Sequence, residues 1–284
     1  MCERYRDIEK SIITTYRKNI WRKFTKAISR YQMIKEGDKI AVCISGGKDS
    51  MLMAKCMQEI RRHGIIEFEA EYIVMDPGYN EENRRMIEHN AEILNIPVHI
   101  FDTEIFNSVV NVDDHPCYLC ARMRRGYLYK EAQRLGCNKI ALGHHFDDVI
   151  ETILMGMLYS AQVQTMMPKL YSTNHPGMEL IRPMYMVKEK DIVAWAAHND
   201  LHFIECACRF TENYTKHGAE NSKRQEMKQL ITQFRNTSRY IDMNIFNSVQ
   251  NINLTTIIGY HDNERSYNFL DDYDERKPCT DSET

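Results

Sequence analysis

No apolar run in the 284-residue chain is long enough to span a bilayer, which excludes a membrane-spanning helix. The opening residues, Met1-Cys-Glu-Arg-Tyr-Arg6, are charged and lead into an amphipathic pattern, so no signal peptide is expected. Nine cysteines, an odd number scattered among Val, Ala and Met, argue against a secreted disulfide scaffold. The expected compartment is therefore reducing and cytoplasmic. There is no internal repeat and no large excess of either charge. The formal net charge of −3 names no nucleic-acid partner by itself, but its distribution is uneven. Residues 1–30 hold Arg4, Arg6, Lys10, Arg17, Lys18, Arg22, Lys23, Lys26 and Arg30 against Glu3, Asp7 and Glu9. After Asp262 the chain is acidic, with Asp271, Asp272, Asp274, Glu275, Asp281 and Glu283. Local basic surface can bind phosphates whatever the total, although a solvated helix face is the plainer alternative. The remaining balance, 43% hydrophobic and 27% charged, suits a globular domain with a sizeable core.

What is present centres on Ala41-Val-Cys-Ile-Ser-Gly-Gly-Lys-Asp-Ser50. The apolar run from Lys39 to Ile44 predicts a buried strand, Gly46 and Gly47 a sharp turn, and Ser50 to about Arg62 a helix. Two glycines let consecutive N–H groups face one concavity at the helix N-terminus, where phosphate oxygens find free donors and partial positive charge. Ser45 and Ser50 add hydroxyls and Lys48 a full charge. Asp49 can cap the helix or sit near a magnesium ion. The Walker-type spacing of glycines is absent, so this is a different phosphate cradle. An ordinary strand-turn-helix connection is the alternative; serines on both sides and Lys-Asp between them weigh against it.

The rest of the chain predicts helix over Ile8 to Tyr31, strands at Phe68–Met75, Pro97–Phe101 and Lys139–Leu142, and helices at Glu81–Leu94, Leu119–Leu135 and Val149–Tyr159. This alternation predicts an α/β fold, a Rossmann-like parallel sheet with helices on both faces and ligands at the carboxyl ends of its strands. Ser45–Ser50 and Gly143-His-His-Phe-Asp-Asp148 both fall at such ends and are expected to meet over one nucleotide. Gly143, His144 and Asp148 are assigned there, Asp148 either capping its helix or placing magnesium. No third ligand supports a metal on His144 and His145. Asp76 falls where an adenine or ribose would lie. Beyond a loose loop over 160–183 come a strand at Glu179–Ile181, helices at Lys188–His198, Ser222–Phe234 and Asp242–Asn251, and a brief strand at His202–Ile204. The expected division is an N-terminal helical segment (1–35), a main domain (36–260) with a C-terminal helical extension, and a disordered acidic tail (261–284).

Pro116-Cys-Tyr-Leu-Cys120 puts two thiols within reach of one metal at a helix start, where thiol pKa falls. Alone it fits a redox pair, half a zinc site or iron–sulfur ligation. Cys206-Ala-Cys208 has a one-residue gap that is awkward for joint ligation of one tetrahedral ion. One of those thiols joining Cys117 and Cys120 makes a three-cysteine site, which on a 4Fe-4S cluster leaves one iron open. Cys43, Cys56 and Cys137 sit in core-like patterns. Arg122, Arg124 and Arg125 can meet RNA phosphates or simply face solvent.

Ser45-Gly-Gly-Lys-Asp-Ser50 resembles the signature of the PP-loop ATP pyrophosphatases, which cleave ATP between its α and β phosphates and adenylate a substrate. Cys117-Tyr-Leu-Cys-Ala-Arg-Met-Arg-Arg-Gly-Tyr-Leu-Tyr129, Lys139-Ile-Ala-Leu-Gly-His-His-Phe-Asp-Asp148, Met167-Pro-Lys-Leu170 and Arg182-Pro183 resemble, in that order, the iron–sulfur tRNA 2-thiocytidine synthetases, the TtcA group. The likeness runs from about Trp21 to Tyr260. It implies ATP and Mg2+ at Ser45–Ser50, with Lys48, Asp49, Cys117 and Cys120 in catalysis. It implies a 4Fe-4S cluster on Cys117, Cys120 and a third cysteine that matches Cys206, with Cys208 the alternative. The reaction implied is adenylation of a tRNA pyrimidine C2 carbonyl and replacement of its oxygen by sulfur. A sulfur donor such as a cysteine desulfurase or free sulfide, and a homodimer, are implied as well. The chain departs from the group at Cys206-Ala-Cys-Arg-Phe-Thr211 and at Thr165-Met-Met-Pro168. The rival readings are a zinc-containing, amide-forming ligase of the same fold and a non-catalytic nucleotide- and cluster-binding RNA module.

Overall fold

A computed structural model describes residues 4–64, 66–106, 116–204 and 223–275. The apolar run before the glycine loop forms β1 (Lys39–Ile44), buried at every residue but its first. Around it lie β2 (Glu69–Asp76), β3 (Val98–Asp102), β4 (Lys139–Ala141), β5 (Lys169–Tyr171) and β6 (Glu179–Ile181) in one sheet of order β3-β2-β1-β4-β6-β5. All neighbours pair in parallel except β5, which runs antiparallel along β6. The helices are α1 (Arg4–Ile13), α2 (Arg22–Arg30), α3 (Lys48–Arg62), α4 (Glu81–Ile93), α5 (Pro116–Arg134), α6 (Phe146–Ser160), α7 (Glu189–His198), α8 (Lys223–Thr237) and α9 (Ile241–Ser248).

Alternation along β1 divides the core. Ile40, Val42 and Ile44 join the larger cluster with α1, α2, α3, α6 and α7, while Ala41 and Cys43 face Tyr129 and Ala132 of α5. A parallel sheet covered on both faces, as the strand-helix alternation predicts, is the result. The N-terminal helices belong to the same core through Ile8, Ile12, Ile20, Phe24 and Ile28. A five-residue π-type turn (Arg17–Trp21) separates them, with Trp21 N donating five residues back to Tyr16 O at 3.3 Å. Lys55 of α3 is fully buried and donates to Gln58 Oε1 and Leu94 O, each at 2.6 Å, and to Glu9 of α1. At the amino edge of the sheet, Lys139 Nζ lies 2.9 Å from Asp38 Oδ2 and 2.8 Å from Glu179 Oε2, and donates to Met33 O.

Three expectations change. Residues 169–171, read as loop, form β5. Residues 202–204, read as a strand, carry no ladder; Phe203 instead stacks on Trp195 with ring centroids 6.4 Å apart. The tail is not wholly without structure: Gly259–His261 and Ser266–Asn268 pair as an antiparallel hairpin, β7 and β8.

Candidate active site

The order of the sheet reverses between β1 and β4. The chain proceeds from β1 outward to β2 and β3, then returns to place β4 on the other side. Loops leaving the carboxyl ends of these two strands diverge and leave a crevice, the usual ligand position in such sheets. A cavity of about 390 Å³ occupies it. Ser45, Asp49 and Ser50 line it from the glycine loop, Gly143, His144 and Asp148 from the loop after β4, Tyr79 from the turn after β2, and Arg124, Arg125 and Leu128 from α5. The two motifs therefore do converge, and a glycine is the reason. A Cβ on Gly143 would stand 3.1 Å from Ser50 N and 3.2 Å from Ser50 Cα, so the β4 loop meets the first turn of α3 backbone to backbone.

The glycine loop is shaped from within. Ser50 Oγ donates to Gly47 O at 2.9 Å and accepts from Ser45 N at 3.1 Å. Gly46 has φ +86°, and a Cβ there would meet Ile87 Cγ1 at 2.5 Å and Ile204 Cδ1 at 2.7 Å. Helix α3 starts at Lys48, two residues earlier than its pattern suggests, with Gly47 in the capping position and no side chain on the first N–H groups. Asp49 therefore does not cap it. These donors sit at the positive end of the helix, beside the cavity.

Lys48 is not part of the cavity wall. Its ammonium lies between Asp49 Oδ2 and Glu189 Oε1, 3.2 Å from each. Burial pulls its pKa down, but the two carboxylates outweigh that and leave it raised. Asp49 Oδ1 is buried with no hydrogen-bond partner. Asp76, expected beside the nucleotide, uses its carboxylate inside the protein: Oδ1 accepts from Gly78 N at 2.8 Å and Tyr79 N at 2.7 Å, and Oδ2 from Arg84 at 2.8 Å. It shapes the turn that brings Tyr79 to the cavity. Helix α6 is capped by His145, whose Nδ1 accepts from Asp148 N at 3.3 Å while Asp148 Oδ2 accepts from His145 N at 2.8 Å. Asp148 is thus the reciprocal partner and not the cap itself.

The opposite wall is cationic. Arg124 stacks over Phe106, 5.6 Å to the ring centroid, and its Nε and Nη2 are buried without partners. Arg182, 8% exposed and outside the cavity lining, donates to Met167 O and keeps an unpartnered Nε. Burial, reinforced by Arg125, lowers its pKa to about 10. His144 is pushed down to about 4 by burial and then by Arg182, so its ring is neutral at pH 7, and its Nδ1 has no partner. Such donors are placed to receive a polyanion.

Behind the cavity a circuit of charges closes. Glu189 Oε2 lies 3.3 Å from Lys228 Nζ, which is 4.0 Å from Glu151 Oε1. Glu151 Oε2 accepts from Arg224 Nε at 2.8 Å, and Arg224 Nη2 donates to Asp148 Oδ1. His145 Nε2, 3.8 Å from Asp49 Oδ1, completes the way back to Lys48. None of Tyr79, Glu151, Glu189, Arg224 and Lys228 is singled out by the sequence; the i, i+4 spacing of Arg224 and Lys228 puts them on one face of α8, and that is the one local signal.

Cys117 and Cys120 lie at the start of α5, about two turns and one turn ahead of Arg124. Leu119 between them packs with Met75, Ile105 and Phe106 beside the cavity. Cys206 and Cys208 lie outside the described residues. Among the described residues, no three His, Cys, Asp or Glu side chains converge on a metal position, and no helix is long and apolar enough to cross a membrane.

A family model described as a PP-loop domain matches residues 16–229. The chain is 36% identical to the tRNA-cytidine(32) 2-sulfurtransferase of Polaromonas naphthalenivorans, over 83% of this chain and 73% of that protein. It is 35% identical to the enzyme of the same name from Vibrio parahaemolyticus, over 83% and 77%. Among solved structures, the U34-tRNA thiolase NcsA from Methanococcus maripaludis with its 4Fe-4S cluster shares the fold, with a TM-score of 0.61 at 20% identity over 84% of this chain and 80% of that one. A glycine loop that opens a helix at the sheet's reversal point, and relatives matched along most of the length, place this chain in the PP-loop family, as a transferase of its tRNA-cytidine(32) 2-sulfurtransferase group.

Proposed function

We propose that the chain uses ATP to adenylate the C2 carbonyl oxygen of cytidine 32 in tRNA and then replaces that oxygen with sulfur. The observation that carries the reading is the convergence of Ser45–Ser50 and Gly143–Asp148 on one cavity with a cationic far wall. A carbonyl oxygen is a poor leaving group. Its attack on the α-phosphorus of ATP releases pyrophosphate, and the later attack of sulfur at C2 expels AMP together with the oxygen. The first-turn N–H groups of α3 and the Ser45 hydroxyl hold the departing pyrophosphate, and Lys48 moves from Glu189 to its oxygens. Arg124 faces the same anion from α5. The orphaned Asp49 Oδ1 is a hard oxygen donor that suits a Mg2+ keeping phosphate and water as its other ligands, while both oxygens of Asp148 are already engaged by His145 N and Arg224.

The thiol donors of Cys117 and Cys120, with Cys206 or Cys208, suit a 4Fe-4S cluster, which held by three cysteines supplies one open iron position for sulfur. Ile204, two residues before Cys206 in sequence, packs on Gly46 of the nucleotide loop. A cysteine desulfurase or free sulfide is the proposed sulfur source. The proposed tRNA surface is the exposed basic face of α1, α2 and the turn between them, with Arg17, Lys18, Arg22 and Lys26.

The test is anaerobic purification with iron and sulfide quantification, followed by nucleoside analysis of tRNA incubated with ATP and a sulfide source. About four irons per chain and ATP-dependent 2-thiocytidine are expected. Zinc in place of iron, or pyrophosphate release without a thionucleoside, would sink the reading.

A further inference from the structure

Helix α8 lies outside the cavity, yet two of its cations complete the charge balance behind it. Arg224 bonds Asp148 and Glu151 together, and Lys228 bridges Glu151 and Glu189. We propose that Arg224 and Lys228 are positioning residues of the nucleotide site, which hold Asp148 and free Lys48, so that ATP affinity depends on a helix that does not touch the nucleotide. The proposal rests on the ATP-binding reading above.

The argument is one of charge and exchange. Four carboxylates (Asp49, Asp148, Glu151, Glu189) share the circuit with three permanent cations, Lys48, Arg224 and Lys228, which leaves one net negative charge. Glu151 is 2% exposed and one helical turn from Asp148. Without Arg224 these two carboxylates face each other beside an incoming polyanion, and Asp148 loses the donor that fixes its Oδ1. Lys228 acts differently. Lys48 must leave Glu189 to reach a phosphate, and a half-buried carboxylate stripped of its partner opposes that move. Lys228, already 3.3 Å from Glu189, stays behind as the counter-ion and lets Lys48 go.

A third cation of α8 supplies the control. Arg235 donates to Asp147 Oδ1 at 2.6 Å and lies 3.4 Å from Asp242 Oδ2, so it anchors the helix without bonding any of the four carboxylates of the circuit, although Asp147 also accepts from Glu189 N. The experiment measures ATP dissociation constants by calorimetry and melting temperatures for the full chain and for R224M, R224K, K228M and R235M. R224M and K228M are expected to weaken ATP about tenfold, R224K to recover part of that loss, and R235M to lower the melting temperature with ATP affinity unchanged. The proposal is overturned if R224M and K228M bind ATP like the parent, or if R235M weakens ATP as much as they do, which would reduce α8 to packing. Should R224M not fold, K228M against R235M decides alone. A parent chain that binds no ATP would instead remove the nucleotide reading itself, and this proposal with it.

Discussion

Position 46 is restricted twice, by a left-handed φ of +86° and by side chains that already fill the space of a Cβ. Gly46→Ala should therefore abolish ATP binding and cost at least about 2 kcal/mol in urea unfolding. Gly136, with φ +74° and open space around it, is the comparison: Gly136→Ala should cost about 1 kcal/mol and leave ATP titrations unchanged. His144 makes a pH prediction. Its folded pKa, about 4, lies below the ordinary 6.5, so between those values the unfolded chain binds a proton that the folded chain refuses. Stability should fall by about 2 kcal/mol from pH 7 to pH 5, and His144→Gln should flatten that slope in denaturant melts. At this scale the sequence reveals loop chemistry well, because Ser45-Gly-Gly-Lys-Asp-Ser50 carries its function in residue type and local order. It does not reveal where side chains turn. Lys48 pairs with Glu189, 141 residues away, and Asp76 spends its carboxylate on its own turn. Histidine is not among the customary capping residues, so sequence alone offers Asp148, and not His145, as a cap candidate for α6.

Among the elements, α1 is tied to α3 by an ion pair in the interior. Lys55 is fully buried, and Glu9 is held below the usual carboxylate range although burial alone would raise it; Arg62 and Lys55 prevail. Lys55→Met should lose about 3 kcal/mol of stability in chemical denaturation. A double-mutant cycle with Glu9→Gln should return a coupling of about 1 kcal/mol or more; additive losses would show that the pair does not join the two helices. The sign with pH follows from the lowered pKa of Glu9: its contribution is present above the unfolded value near 4.5 and is lost as pH falls through the folded one. Element order was legible because strands buried on both faces and helices with apolar stripes have different periods. Element ends were less so. β5 is three residues long and mostly exposed, with no alternation to betray it. Residues 202–204 have strand-like composition, but Phe203 and Ile204 serve Trp195 and Gly46 instead of a ladder.

For the whole molecule, net charge conceals a basic face. Glu9 is withdrawn into the interior and residues 1–30 hold nine Lys or Arg against three acids, so Arg17, Lys18, Arg22 and Lys26 stand on a surface more positive than the −3 total suggests. Replacing Arg17 and Arg22 together by Ala should weaken tRNA binding and flatten its dependence on salt by about one logarithmic unit per lost phosphate contact. Unchanged slopes would move the RNA elsewhere. The sheet also has two unlike ends. Where the strands finish, polar atoms are left unpaired around a cavity and the backbone is bent to suit a ligand. Where they begin, all three donors of Lys139 are engaged by Asp38, Glu179 and Met33 O. The molecule is thus a tool with a handle: hardening by protein engineering belongs at the Lys139 end, where rigidity can be added without dulling the edge that does the cutting.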